Sequence, residues 1–180
     1  FSAAINSSAL TRRQLSIALT GRGHAFLAQQ DFRSAVDDFN EVLVMEPNNP
    51  MAYYNRGLVF ATAEIWDRAD ADFLFAIRLD PKFADAWYQR GRRWVLKDKS
   101  DWALEMFESA IKIDSAHLPS RVGVAMVLRS RGALSEAMTE IENVIKLNDQ
   151  YANAYVVRGN ILPDGSEFGG IFEFVTIITF

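Results

Sequence analysis

Small residues recur in this chain at a fixed interval, and that interval limits what the chain can fold into. Gly23, Gly57, Gly91, Ala125 and Gly159 stand 34 residues apart, and twelve residues after the first four come Ala35, Ala69, Ala103 and Ala137. Two helices approach closely only where one side chain is nearly absent, so each of these positions marks an expected crossing. Large residues keep the same interval: Phe26, Phe60, Trp94 and Leu128, then Phe39, Phe73, Phe107 and Ile141. Small residues facing large ones are how a close-packed interior is built. Self-similarity at a period between about 20 and 50 residues marks a repeat architecture, in which each unit buries its apolar face against its neighbour.

Within each period the apolar spacing is helical. Phe32, Val36, Phe39 and Leu43 recur at three to four residues, as do Trp66, Ala69, Phe73, Ala76 and Ile77, and later Leu134, Ala137, Ile141, Val144 and Ile145. The breaks are Glu46-Pro47-Asn48-Asn49-Pro50 and Asp80-Pro81, because proline cannot continue a helix and restricts the residue before it. The spacing predicts paired helices at roughly 14–29 and 32–46, 50–63 and 66–79, 84–97 and 100–113, 117–130 and 134–147, and a ninth at 151–161.

Composition narrows the function. At 180 residues the chain fits one domain's core or a short solenoid, and with 49% apolar and 23% charged residues most of it should fold. A net charge of −4 argues against nucleic acid as the main ligand, because phosphate binding needs clustered Lys and Arg. The absence of cysteine removes disulfides, thiolate metal sites and a cysteine nucleophile, and two histidines leave little for zinc. No cofactor is expected. No apolar run is long enough to span a bilayer, so a soluble chain is expected, with the cytoplasm favoured and export left open. The first residue is Phe1 rather than Met, which suggests a processed product or a fragment.

The segment Ala52-Tyr53-Tyr54-Asn55-Arg56-Gly57, followed by Phe60, Trp66, Ala69, Phe73, Ala76 and Asp80-Pro81, is echoed by Ala86-Trp87-Tyr88-Gln89-Arg90-Gly91, Trp94, Ala103, Phe107, Ala110 and Asp114. These residues resemble the tetratricopeptide repeat (TPR) family, whose period is also 34. The resemblance covers 16–161, as repeats 16–49, 50–83, 84–117 and 118–151 and a partial fifth at 152–161, after a lead-in or cap at 1–15. The fourth repeat departs, with Arg121 where an aromatic is expected and with Ser115 and Asp149 in place of the closing proline, so looser packing or a differently used outer surface is expected there. The resemblance implies an all-α, right-handed α-solenoid of antiparallel helix pairs whose first helices line a concave groove. It also implies a non-catalytic adaptor, a scaffold that binds a peptide or protein segment in that groove. Two alternatives stay open: a self-assembling oligomerisation module, and a chaperone that masks an apolar segment of an exported protein.

After Leu162 the period ends in Pro163-Asp164-Gly165-Ser166, a turn or linker, and then in a non-repeat C-terminal tail that is β-branched and aromatic up to Phe180. That tail would aggregate if exposed. It is expected either to cap the apolar end of the ninth helix (Tyr155, Val157, Ile161) and mediate a homo-oligomer, or to be a cloning scar, since Gly165-Ser166-Glu167-Phe168 is what two adjacent cloning sites would encode.

By the family's register, the groove positions are Thr20, Gly21, His24 and Leu27 in repeat one, and Met51, Tyr54, Asn55 and Leu58 in repeat two. Repeat three offers Asp85, Tyr88, Gln89, Arg92 and Val95, and repeat four Val122, Met126 and Arg129. Tyr and Arg supply much of the energy at interfaces, and Met adapts to irregular surfaces. A ligand with apolar anchors and an acidic group would suit this lining. Some family members clamp the terminal carboxylate of chaperone tails with lysine, asparagine and arginine. Here the corresponding positions hold Asn55 but otherwise Thr20, His24, Asp85 and Gln89, so no such clamp is expected. The arginine before each glycine (Arg22, Arg56, Arg90, Arg158) reads as structural, paired with acids such as Asp37, Asp38, Asp70 or Asp72. Arg93, whose repeat equivalents are Ala25, Val59 and Val127, is expected to enlarge a basic patch with Arg92 or to face solvent. No catalysis is expected: His24 has no partner at a recognisable spacing, Gly21-Arg22-Gly23 lies within a helical pattern rather than after a strand, and the glycines around Ser166 are wrongly placed for a nucleophile elbow.

Overall fold

A computed structural model of the chain describes residues 10–161. The expectations for the start of the lead-in and for the tail fall outside the described residues. Within them the chain is all-α, with nine helices and no strand. They are α1 (Arg12–Ala28), α2 (Phe32–Met45), α3 (Pro50–Thr62), α4 (Trp66–Leu79), α5 (Ala84–Leu96), α6 (Ser100–Ile113), α7 (Leu118–Ser130), α8 (Leu134–Leu147) and α9 (Ala152–Ile161).

Helix starts follow from local chemistry. Thr11 and Gln14 form a capping box that begins α1 two residues before the spacing alone suggests. Asp31 accepts the Ser34 N–H at 3.2 Å to open α2. Asn49 accepts the Ala52 N–H at 3.1 Å and Pro50 takes the first turn of α3, where its missing N–H is no loss.

The turn inside each helix pair repeats as strictly as the sequence. Gln30, Glu64, Asp98 and Gly132, again 34 apart, have φ of 60°, 59°, 55° and 78°. Each turn is closed by a backbone bond that spans five residues: Asp31 N to Phe26 O, Ile65 N to Phe60 O, Lys99 N to Trp94 O and Ala133 N to Leu128 O. This is the Schellman closure, whose left-handed residue is ordinarily glycine. Only the fourth turn has one.

After Arg93 the chain divides into two compact units. In the first, α1 packs on α2, α2 on α3 and α3 on α4, and Ala76 and Ile77 of α4 cluster with Ala86 of α5. Leu19, Ala35, Phe39, Val42, Val59, Ala69 and Phe73 form its buried interior. The close approaches lie where the small-residue spacing puts them. A Cβ on Gly23 would stand 2.9 Å from Phe39 Cζ, and one on Gly57 would stand 2.7 Å from Phe73 Cε1.

In the second unit α6 packs on α7, α7 on α8, and α9 on both α7 and α8. Ala103, Phe107, Ala110, Ala137, Ile141 and Val144 are sealed from solvent. Here the Phe107 ring lies against Gly123, where a Cβ would stand 2.8 Å away. Gly123 stands one period after Gln89, not after Gly91, so the fourth repeat presents its smallest residue to a ring from a different position.

Candidate binding site on α3 and α5

The arginines of the first unit fall into two kinds, and the difference locates the site. Arg22 of α1 places Nε and Nη2 on the two oxygens of Asp38 at 2.8 and 2.5 Å. Arg56 of α3 repeats this on Asp72 at 2.8 and 2.7 Å, and its Nη1 donates to Asn40 at 2.6 Å. Both pairs join the first and second helices of one repeat across sixteen residues. Hydrogen bonding to these carboxylates raises the pKa of Arg22 and of Arg56.

In α5 that partner is missing, because the residue sixteen after Arg90 is Met106. Arg90 turns back instead to Asp70 of α4, with Nε to Oδ1 at 2.8 Å. Arg93 joins it, donating from Nη2 to Asp67 at 2.7 Å, pairing from Nη1 with Asp70 at 3.2 Å and reaching the Trp66 carbonyl at 3.3 Å. Arg93 is only 8% exposed, which corrects the expectation that it enlarges a basic patch or faces solvent. It lies where other repeats carry alanine or valine, and acids on the preceding helix offset its burial. Arg90, Arg93, Asp67 and Asp70 therefore tie α5 to α4.

Arg92 is different. Its Nη1 donates to the Gln89 side-chain oxygen at 2.9 Å, and its Nε is buried with no hydrogen-bond partner. Among the described residues no carboxylate pairs with it. Burial lowers its pKa, and the nearby hydroxyls of Tyr88 and Tyr54 act in the opposite sense. Tyr54 is held between Phe73 and Phe83, with ring centroids 5.8 and 4.8 Å away. Burial pushes its hydroxyl up to about 12, the neighbouring Gln89 amide acts in the opposite sense, and the negative charge of Asp85 adds to the rise. Tyr54, Gln89 and Arg92 thus form one connected group spanning α3 and α5, with Tyr88 beside it. Titratable groups shifted by burial and gathered in one place mark a candidate functional site.

Comparison with known proteins bears on the fold. The TPR repeat family model matches residues 23–63. A TPR protein, YrrB, described as having an unusual peptide-binding site, is 21% identical with a TM-score of 0.61, over 81% of this chain and 75% of its own. PilF of Pseudomonas aeruginosa is 17% identical with a TM-score of 0.75, over 84% and 69%. Residues 23–63 thus match the tetratricopeptide repeat, and the solved structures share the fold of the longer chain. The first TPR of Spaghetti (RPAP3), solved with the HSP90 peptide SRMEEVD, is 16% identical with a TM-score of 0.61, over 70% of this chain and 99% of its own. A search of curated proteins finds no match.

The structure distributes the other expected groove residues unevenly. Met51 is half exposed on α3, Leu58 is half-buried, and Asn55 and Gln89 are buried at 5% and 7%. Met126 and Arg129 belong to the second unit. Met126 packs into its apolar core with Ile141 and Val157, and Arg129 reaches the Asn160 carbonyl at 3.4 Å. Sequence reasoning missed the acids that hold Arg93. Asp67 and Asp70, three residues apart on the exposed-looking side of α4, were the available signal. Also missed was His117, a buried side chain whose Nδ1 accepts the Ser120 N–H at 3.3 Å at the start of α7. Among the described residues no group of three metal-binding side chains occurs, and no helix is long and apolar enough to cross a membrane.

Proposed function

We propose that this chain is a non-catalytic adaptor that binds a peptide or protein segment along the first helices of its repeats. Tyr54, Tyr88 and Met51 supply apolar contact, and Asn55, Gln89 and Arg92 supply polar contact. The observation that carries this reading is the Tyr54–Gln89–Arg92 group. It places a rigid aromatic, an amide and an arginine without a carboxylate partner on adjacent first helices, and Tyr and Arg are the side chains that most often anchor interfaces. Two of the structural neighbours are described with a peptide or a peptide site, which supports the class of ligand. Recognition of a chaperone tail through a terminal-carboxylate clamp is not part of the proposal, because the positions that would supply the clamp's cations carry Thr20, His24, Asp85 and Gln89. A random heptapeptide library selected on the intact chain tests it. Tyr54→Ala and Tyr88→Ala should each weaken the selected peptides roughly tenfold or more. Selected peptides indifferent to both changes would refute it.

Self-association is a second reading, favoured by the exposed apolar side chains Trp102, Leu134, Leu147 and Val156 in the second unit. Light scattering behind a sizing column separates the two: a monomer at working concentration removes this second reading.

A further inference from the structure

Three candidates stand out beyond the adaptor reading itself: the exposed Trp102 beside Trp94, the buried His117 at the start of α7, and the unpaired guanidinium edge of Arg92. Nothing in the structure shows what would cover Trp102. His117 already satisfies its helix start. Arg92 carries the argument further.

A guanidinium has one edge, formed by the Nε–H and an Nη2–H, that matches the two oxygens of a carboxylate. This chain uses that edge twice: Arg22 presents it to Asp38 and Arg56 presents it to Asp72. In Arg92 the remaining nitrogen, Nη1, is committed to Gln89, while Nε has no acceptor and Nη2 makes no hydrogen bond or ion pair among the described residues. Gln89 also lies beside the Tyr54 hydroxyl and acts on it, so one buried amide neighbours both the guanidinium and the phenol. The side chain is therefore oriented by a neutral partner, and its carboxylate-matching edge is left over.

We propose that Arg92 is the receptor for a single side-chain carboxylate, an aspartate or glutamate of the bound segment, taken side-on by Nε and Nη2 as the segment displaces the packing that closes Nε off from water. This rests on the adaptor reading for the identity of the ligand. It differs from a terminal-carboxylate clamp, which needs cations at positions this chain fills with Thr20, His24, Asp85 and Gln89. Charge sets the class of anion. Asp85 lies close enough to act on Tyr54, and one guanidinium balances one negative charge. With Asp85 nearby, a dianionic phosphate would leave one more uncompensated negative charge in this partly desolvated place than a carboxylate does.

The test is a nitrogen-15 NMR titration of the intact chain, following the Arg92 Nε–Hε signal, which is assigned by its loss in Arg92→Lys. The probes are glutamate blocked at both termini, its glutamine counterpart and inorganic phosphate. The glutamate probe should move the signal downfield, as expected when an N–H gains a charged acceptor. The glutamine probe and phosphate should bind roughly 10- to 100-fold more weakly. Arg92→Lys keeps the charge but lacks the edge, so it too should lose most of the affinity, read from neighbouring backbone signals. The proposal is overturned if the Arg92 signal is unmoved by the glutamate probe up to its solubility limit, if the glutamine probe moves it equally, if phosphate binds as tightly or more tightly, or if Arg92→Lys binds as well as the parent. Failure here leaves the adaptor reading separately testable, because library peptides that depend on Tyr54 and Tyr88 but not on Arg92 would uphold it. Conversely, a glutamate response at Arg92 with no peptide dependence on either tyrosine would refute the adaptor reading and leave the anion site standing.

Discussion

Arg56 and Arg92 lie on neighbouring first helices of the same unit, and both are largely withdrawn from water, yet they meet opposite surroundings. Arg56 is held by both oxygens of Asp72 and by Asn40, and its charge is stabilised in the fold. Arg92 has an amide and two phenols for company, and burial destabilises its charge. A buried charge is tolerated when it is paired and is costly when it is not. The first kind of arginine therefore belongs to the architecture, where it recurs with the repeat as Arg22 and Arg56. The second kind stands alone in its register, where the other repeats carry His24, Leu58 and Met126, and stability does not account for it.

The sharpest way to break this contrast is to make Arg56 resemble Arg92. Asp72→Ala removes both carboxylate oxygens, though not Asn40, from a guanidinium that is 22% exposed and should cost about 2–4 kcal/mol in urea unfolding. A loss no larger than that of an exposed Asp→Ala change would mean that the paired arginines are not structural.

A second test uses pH. Below pH 10 the Tyr54 phenol is protonated both in the folded chain and in the unfolded one, so the stability associated with its raised pKa is fully present. Between about 10 and 12 the unfolded chain releases this proton while the folded one keeps it, and stability falls; above 12 the contribution is gone. Relative to Tyr54→Phe, the parent chain should lose about 2–3 kcal/mol across that window. Parallel stability curves for the two chains would show that Tyr54 is not in the desolvated group around Arg92.

A smaller effect sharpens the comparison from the other side. Gln89→Glu puts a carboxylate where the amide oxygen now accepts from Arg92 at 2.9 Å, which turns Arg92 into a paired arginine. Stability should rise by about 0.5–1 kcal/mol, while affinity for acidic peptides falls. A rise in affinity would mean that the ligand does not need this guanidinium.

The helices were legible because two independent signals coincide. Pro50 and Pro81 punctuate the same boundaries that the apolar spacing marks, and the ends observed lie within two residues of those read from it. The glycine–phenylalanine approaches were legible for the same reason, since Gly57 and Phe73 are tied to a repeated geometry. The left-handed turns were not, because Gln30, Glu64 and Asp98 occupy positions where glycine would have announced them. Arg93 misled because a charge in an alanine or valine register reads as solvent-facing unless its partners are known, and Asp67 lies 26 residues away in sequence. The site was legible only as a set of register positions. That Gln89 and Met126 are buried, and that Arg92 lacks a carboxylate while Arg56 has one, depends on distances between helices, which no local pattern encodes.

Unfolding of Arg92→Met by urea tests the central claim most directly. If Arg92 is kept for a ligand at the expense of the fold, replacing it with an apolar side chain of similar length should raise the stability of the ligand-free chain by about 1 kcal/mol. A fall approaching that of Asp72→Ala would show that Arg92 holds the repeats together as Arg56 does, and the distinction between the two arginines would collapse.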